Sequence, residues 1–172
     1  DNGRYSSDVF TNVTETLNIV YGQNTNSFGS NEILKLDFYA PANDTETKRP
    51  LIIFAHGGSF QFGTSQDQDV VSLCKAFAKK GFACATINYR LGFFPLDSVN
   101  AVKAVARAVQ DMKASVRFFY KDSKDGINAY KIDTNNIFVG GSSAGAITAL
   151  HTAYLDKTCE LNAFEASFTE TA

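Results

Sequence analysis

Residues 136–146 read NIFVGGSSAGA and contain the most informative turn of the chain. An apolar run, Ile137-Phe138-Val139, leads into a glycine- and serine-rich turn, and residues 143–155 beyond it have the pattern of a helix. The turn fits G-x-S-x-G with Ser143 at its centre. A serine on such a strand-to-helix turn is held in a tight backbone that exposes its Oγ above the sheet. The context favours a nucleophilic serine over the alternative, a tight turn whose glycines only permit packing.

A second glycine-rich turn, His56-Gly57-Gly58-Ser59-Phe60, follows the apolar run Leu51–Ala55. Glycines at this place let backbone N–H groups face a developing oxyanion, and each such donor can contribute a few kcal/mol of transition-state stabilisation. Both turns follow predicted parallel strands, and ligands of α/β proteins bind at the carboxyl ends of such strands. The two turns together therefore predict a catalytic site, whereas a single one would also fit a flexible loop.

Strand and helix patterns alternate from residue 51 onwards, which predicts a parallel sheet with crossover helices. Two earlier segments separated by turn residues predict an antiparallel pair at a sheet edge. The expected strands are Thr16–Tyr21 and Ile33–Tyr39, then three buried ones at Leu51–Ala55, Phe82–Ile87 and Ile137–Val139. Three helices are expected. The first has a capping box formed by Ser65 and Gln68, and its apolar face carries Val70, Leu73, Phe77 and Ala78. The second is capped by Ser98, and the third covers Ser143–Leu155.

In this order the motifs resemble the α/β-hydrolase fold, specifically the carboxylesterases and lipases with an HGG oxyanion loop. The similar stretches are PLIIFAHGGSF (50–60), NYRLG (88–92), DMKASVRFF (111–119) and NIFVGGSSAGA (136–146). The resemblance implies one α/β-hydrolase domain over residues 1–172 that hydrolyses carboxylic esters. It also implies that Ser143 is the nucleophile and that the N–H groups of Gly57, Gly58 and Ala144 form the oxyanion hole.

The chain has two histidines, and neither is where the family places its base. The resemblance implies that His56 braces the oxyanion loop. His151 follows Ser143 by eight residues on the predicted helix and is expected to be packed or partly exposed. The family's order is serine, then a carboxylate, then histidine, and no histidine follows His151. The acid and the base are therefore not assigned. Three carboxylates are expected to lie on helix surfaces or brace loops: Asp111, Asp133 and Asp156.

Three hypotheses explain the missing acid and base. The favoured one is that the chain is the N-terminal part of a complete esterase, incomplete at the C-terminal end of the fold. The second is a short chain completed by association, in which a second copy or a partner pairs with an exposed sheet edge. The third is a non-catalytic binding module that keeps the fold.

Aromatic residues near the two turns give the only indication of substrate. Phe60 and Phe62 flank the oxyanion loop, and Phe93 and Phe94 follow the second parallel strand. They are predicted to line an apolar acyl or alcohol pocket, with ordinary packing as the alternative. We expect short-chain or aryl esters, either small molecules or, as a second possibility, ester groups attached to plant polysaccharides.

Composition excludes other classes of function. With 16 basic and 18 acidic residues and a net charge of −2, the chain lacks the basic surface of a nucleic-acid-binding protein. No apolar stretch is long enough for a membrane span. No cofactor or metal is expected, because the glycine-rich turns match neither a P-loop nor a dinucleotide fingerprint and the histidines form no ligand cluster. The cysteines Cys74, Cys84 and Cys159 are expected to be small apolar fillers. A removed leader would explain a chain that begins at Asp1, which favours a secreted or periplasmic location.

Overall fold

The computed structural model describes residues 3–155, which form one mixed sheet with helices on both faces. The strands are β1 (Val13–Thr25), β2 (Asn31–Pro41), β3 (Arg49–Ala55), β4 (Ala83–Ile87) and β5 (Ile132–Gly141). The helices are α1 (Gln68–Lys79), α2 (Ser98–Lys124) and α3 (Ala144–Tyr154). The order of the strands in the sheet is β1-β2-β4-β3-β5. None of the described helices is long and apolar enough to cross a membrane.

The pairing of the strands confirms the predicted mixed sheet. β1 and β2 are antiparallel neighbours, and β2 is also antiparallel to β4. β3 lies between β4 and β5 and is parallel to both, with Ile53 opposite Ala85 on one side and Val139 on the other. The carboxyl ends of these three parallel strands therefore meet at one end of the sheet, where the two glycine-rich turns follow β3 and β5.

Each face of the sheet has its own apolar core, because successive side chains of a strand point to opposite faces. On β3, Leu51 and Ile53 pack in the larger cluster with α2 and α3, whereas Ile52 and Phe54 pack in the smaller cluster with α1. Cys74 and Cys84 are buried free thiols in the smaller cluster, as predicted for apolar fillers. Cys159 lies outside the described residues.

The third predicted buried strand exists, but its predicted burial is wrong. In the described part of the chain β5 pairs with β3 alone and forms an edge of the sheet. Phe138, which would be covered in a central strand, is 52% exposed. The strand has the apolar composition of a covered strand, but an edge position leaves part of it exposed.

Three predicted details of the helices are also wrong. Ser65 does not cap α1, which begins at Gln68 after Asp67, because the Ser65 hydroxyl is bound by a buried carboxylate described below. Asp97 rather than Ser98 caps α2, and its carboxylate accepts the N–H of Asn100 at 2.7 Å. On α1, Leu73 is exposed and Cys74 takes the buried position.

The segment after β4 is attached to α2 by a buried ion pair. Arg90 Nε donates to both carboxylate oxygens of Asp111, at 3.0 and 2.9 Å, and Nη2 donates to Oδ1 at 2.7 Å. The backbone N–H of Arg90 donates to Oδ2 at 2.8 Å. Asp111 therefore braces a loop, as predicted, from a buried position instead of the helix surface. Asp133 accepts bonds from its neighbours Asn135 and Asn136, and Asp156 lies outside the described residues.

We predict that Asp111→Asn strongly destabilises the protein. The substitution leaves the Arg90 guanidinium buried without its counter-charge, and breaking such a pair costs about 3–5 kcal/mol. Asp133→Asn is the matched control and should change the free energy of unfolding by less than about 1 kcal/mol. Urea unfolding followed by circular dichroism measures both values, and a loss for Asp111→Asn no larger than the control's would contradict the prediction.

Candidate active site

Ser143 lies between β5 and α3 in a strained backbone conformation. Its φ of 51° and ψ of −113° are unusual for a residue with a side chain, and such strain is concentrated at functional sites. The serine is exposed. The glycines on either side are required for packing, since a Cβ on Gly145 would lie 2.0 Å from the Ala55 carbonyl oxygen and one on Gly141 would lie 2.3 Å from the carbonyl carbon of Gly145. Packing explains the glycines, but it does not explain the strained serine.

The loop after β3, residues 56–66, contains the glycines predicted to form the oxyanion hole; we call it the oxyanion loop, and it lies directly against this turn. A Cβ on Gly57 would lie 3.3 Å from the carbonyl oxygen of Ser142 and 3.4 Å from the Cβ of Ser143. Gly58 has a φ of 103°, and a Cβ there would lie 2.1 Å from the carbonyl oxygen of Phe62. The fold thus places the backbone of Gly57 beside the Ser143 side chain, and Gly58 has a conformation that only glycine adopts easily.

The third predicted donor, the N–H of Ala144, is the first amide of α3. The hydrogen bonds of this helix begin one residue later, with Gly145 N–H to the Ser142 carbonyl at 2.8 Å and Ala146 N–H to the Ser143 carbonyl at 3.0 Å. The first amides of a helix have no partner within it and lie at the positive end of its dipole. Such a terminus stabilises negative charge at the position next to Ser143.

His56 braces the oxyanion loop, which is the role that the family resemblance implies. Its imidazole is buried and stacks on Tyr89, with ring centroids 4.4 Å apart. Nδ1 lies 2.7 Å from the Gly57 carbonyl oxygen, so Nδ1 is the protonated nitrogen that donates. A Cβ on Gly63 would lie 2.3 Å from this nitrogen. Burial lowers the pKa of His56 below its usual 6.5 and keeps the ring neutral.

The segment after β4 holds the start of the oxyanion loop. The Tyr89 hydroxyl donates to the carbonyl oxygens of His56, at 2.9 Å, and Gly57, at 3.3 Å. The N–H of Gly92 donates to the Phe60 carbonyl at 2.8 Å. The sequence contained one indication of this role, the NYRLG stretch at 88–92, and its contacts with the loop were not predicted.

A buried polar network that was not predicted holds the end of the same loop. Asp37 Oδ2 accepts the Ser65 hydroxyl and the Gln66 side-chain amide, both at 2.5 Å. Asn88 accepts the Ser65 N–H at 2.9 Å and donates Nδ2 to its hydroxyl oxygen at 2.8 Å. Asp37 lies on β2, and Asn88 directly follows β4. Two strands of the sheet therefore fix the residues that end the oxyanion loop.

The predicted pocket aromatics have different surroundings. The ring of Phe60 is 5% exposed and packs in the larger core, in edge contact with Tyr89 at 6.1 Å. Phe62 is 64% exposed. Phe93 packs partly against the larger core, and Phe94 is exposed. Of the two residues predicted beside the oxyanion loop, Phe62 therefore has an exposed ring, whereas the ring of Phe60 is buried in the larger core.

His151 is placed on α3 with Nδ1 2.8 Å from the Ile147 carbonyl oxygen. Eight residues of helix separate it from Ser143, a rise of about 12 Å. In residues 3–155, no group of three or more His, Cys, Asp or Glu side chains is arranged to hold a metal ion. The described part of the chain therefore brings the predicted nucleophile and two of the predicted oxyanion donors, Gly57 and Ala144, close together, while the Nδ1 atoms of both histidines lie at backbone carbonyls.

Comparison with known proteins agrees with this geometry. The BD-FAE family matches residues 36–172. Neuroligin-like protein glit-1 of Caenorhabditis elegans is 30% identical over 117 residues, which cover 67% of this chain and 15% of that protein. Juvenile hormone esterase of Heliothis virescens is 31% identical over 117 residues, which cover 67% of this chain and 20% of the esterase.

The fold is also similar to that of solved esterases. Esterase B of Lactobacillus rhamnosis, in its structure with a tributyrin phosphonate, has a TM-score of 0.66 and 23% identity, over 92% of this chain and 45% of the esterase. This chain spans about a fifth or less of the two sequence relatives and less than half of the solved esterase. The predicted α/β-hydrolase fold is confirmed as a partial fold, and the chain belongs to the BD-FAE family of α/β-hydrolase esterases.

Proposed function

We propose that this chain carries the nucleophile and the oxyanion hole of a serine carboxylesterase. The observation that carries the proposal is the strained, exposed Ser143 with the backbone of Gly57 against it. Ser143 Oγ attacks the ester carbonyl, and the N–H groups of Gly57, Gly58 and Ala144 stabilise the resulting oxyanion. Collapse of this intermediate breaks the bond to the alcohol and leaves an acyl-enzyme, which water hydrolyses to the acid and free serine.

The reaction needs a base that the described residues do not place beside Ser143. A histidine takes the Ser143 proton during attack and gives it to the leaving alcohol, and a carboxylate orients that histidine. We assign both groups to protein outside the described residues, which fits the fact that the chain spans 45% of esterase B. The chain is then the N-terminal portion of the catalytic domain.

The edge strand β5 is the place where the rest of the site would be added. Ser143 follows its carboxyl end directly, and its outer edge is unpaired within residues 3–155. Large apolar side chains are exposed on β5 and on the helix that follows it, α3: Phe138, Ile147, Leu150 and Tyr154. A further strand paired with β5 would fill this edge and would bring its own side chains next to Ser143. Self-association of two copies would use the same edge.

For the substrate we propose short-chain or aryl esters, either small or attached to a polymer. The site is open, and Phe62 presents an apolar ring from the oxyanion loop. The second candidate function is a non-catalytic binding module. It is favoured by the contacts of the two histidines, whose Nδ1 atoms lie at the carbonyl oxygens of Gly57 and Ile147.

Labelling of the complete protein, in which the proposed base is present, with a p-nitrophenyl phosphonate tests the nucleophile. We expect one covalent adduct per chain, on Ser143, because phosphonylation requires an activated serine beside donors for the phosphoryl oxygen. Intact-mass and peptide mass spectrometry measure the adduct. Ser142→Ala is the matched control and should be labelled like the wild type, whereas Ser143→Ala should not. Labelling that survives in Ser143→Ala, or is absent from the wild type, would favour the non-catalytic module.

Gly57→Ala should slow this labelling without unfolding the protein. The added methyl group would lie 3.3–3.4 Å from the Ser142 carbonyl and the Ser143 Cβ, so it would occupy the space that the oxyanion needs. We expect a rate about a hundredfold lower, the size of the effect of losing one oxyanion donor. The control is Gly22→Ala on β1, where the new Cβ would contact the Leu34 side chain at an ordinary 3.8 Å. Equal labelling rates for the two variants would contradict the assignment of Gly57.

The neutral His56 predicts a loss of stability in weak acid. Its pKa is lowered in the folded state, so the unfolded chain binds a proton more readily as the pH falls below 6.5. The stability contributed by neutral His56 is present above pH 6.5 and is lost as the pH falls toward the folded-state pKa. We expect the Tm to fall between pH 7.5 and pH 5.0, and to fall less in His56→Asn. His151→Asn is the control, and its Tm should fall as much as that of the wild type. A fall in Tm that is reduced in His151→Asn and unchanged in His56→Asn would contradict the prediction.

A further inference from the structure

A cavity of about 440 Å³ lies at the same end of the sheet as Ser143, on the side of β1, β2 and β4. Its walls are the tip of the β1–β2 hairpin, the oxyanion loop and the loop after β4. The residues that matter for its chemistry are Phe28, Glu32, Gln61, Asn88, Leu91 and Phe94. This volume is typical of small-molecule sites.

The walls of this cavity are joined to one another by specific contacts. Arg90 Nη1 donates to the Thr25 carbonyl at 2.7 Å, and Arg107 Nη2 donates to the Gly92 carbonyl at 2.6 Å. Gly92 has a φ of 131°, and a Cβ there would lie 2.2 Å from the hydroxyl oxygen of Ser27. The hairpin tip and the loop after β4 are therefore in direct contact, and the cavity belongs to the fold.

Two aromatic rings at this cavity are exposed. Phe28 on the hairpin is 86% exposed and Phe94 on the opposite loop is 68% exposed. Large apolar side chains exposed together beside a cavity are typical of binding sites. An aromatic face also attracts cations, because the ring carries negative charge density above its plane.

The charge in the cavity comes from Glu32. The other polar side chains of the wall have partners, since Asn88 binds Ser65 and Gln61 donates to the Phe93 carbonyl at 3.3 Å. Within residues 3–155 the half-buried Glu32 carboxylate makes no hydrogen bond or ion pair within 4 Å, and it interacts with the Arg107 guanidinium only from a longer distance. A half-buried carboxylate with no directly bound cation favours a cationic ligand.

We propose that this cavity binds a small arylalkyl- or alkylammonium ion. The ammonium group pairs with the Glu32 carboxylate, and the organic part of the ligand packs between Phe28 and Phe94. The site goes beyond the proposed esterase function and does not depend on it, because none of these three side chains takes part in the chemistry at Ser143.

The test compares 2-phenylethylammonium with 2-phenylethanol, a neutral molecule of nearly the same shape. Titration of the ¹⁵N-labelled chain at low salt, followed by NMR, measures both dissociation constants and locates the shifted amides. We expect the cation to bind about tenfold more tightly, which corresponds to the strength of a partly desolvated ion pair and ring contact. The shifts should cluster at residues 26–32 and 88–94.

Variants assign the affinity to the named groups. Glu32→Gln should remove the preference for the cation, whereas Glu46→Gln, the same change on the β2–β3 connection, should keep it. Phe94→Ala should weaken binding of both molecules, and Phe138→Ala on β5 should leave both unchanged. Ser143→Ala should bind like the wild type, so failure of the esterase proposal does not affect this result. No binding, equal binding of the two molecules, or a preference that survives in Glu32→Gln would overturn the proposal.

Discussion

The buried ion pair between Arg90 and Asp111 is the constraint on which the site depends. Two charges removed from water are tolerated only when each is matched by hydrogen bonds in good geometry. Here the Asp111 carboxylate accepts hydrogen bonds from the guanidinium and from the backbone N–H of Arg90. The pair thereby fixes the path of the chain directly after β4 against α2. The neighbouring Tyr89 binds the start of the oxyanion loop at His56, and Asn88 binds its end at Ser65. The ion pair therefore determines the position of the loop through these two residues.

The position of Ser143, the proposed nucleophile, depends on close approach of the backbones around it. Gly57 lies against Ser143, and the glycines of the turn after β5 bring α3 onto the end of β3. Ser143 keeps its strained conformation because strand, helix and loop all restrict it. The proposed oxyanion donors are backbone amides, and packing of the surrounding backbone would fix them before a substrate binds.

Much of the candidate site could be predicted because its requirements are local. A serine on a tight turn and a glycine pair after a strand are visible as short patterns, and the resemblance added the role of His56. The predictions were wrong where a local contact competes with a contact to a residue far away in the chain. Ser65 has the spacing of a helix cap, but the buried Asp37 binds its hydroxyl instead. Phe60 stands in the oxyanion loop like Phe62, but it points into the core.

Short stretches of the sequence are enough to predict the alternation of strands and helices, the glycine-rich turns after β3 and β5, and the nucleophile candidate in the second of these turns. These features follow from periodicity and from backbone sterics, which act over a few residues. Long-range packing, by contrast, is what makes Asp37, Asn88, Tyr89 and Asp111 together hold the oxyanion loop, and what leaves β5 at an edge of the described sheet. Such contacts join residues far apart in the chain, and their energies depend on burial and distance, which no short stretch of sequence specifies.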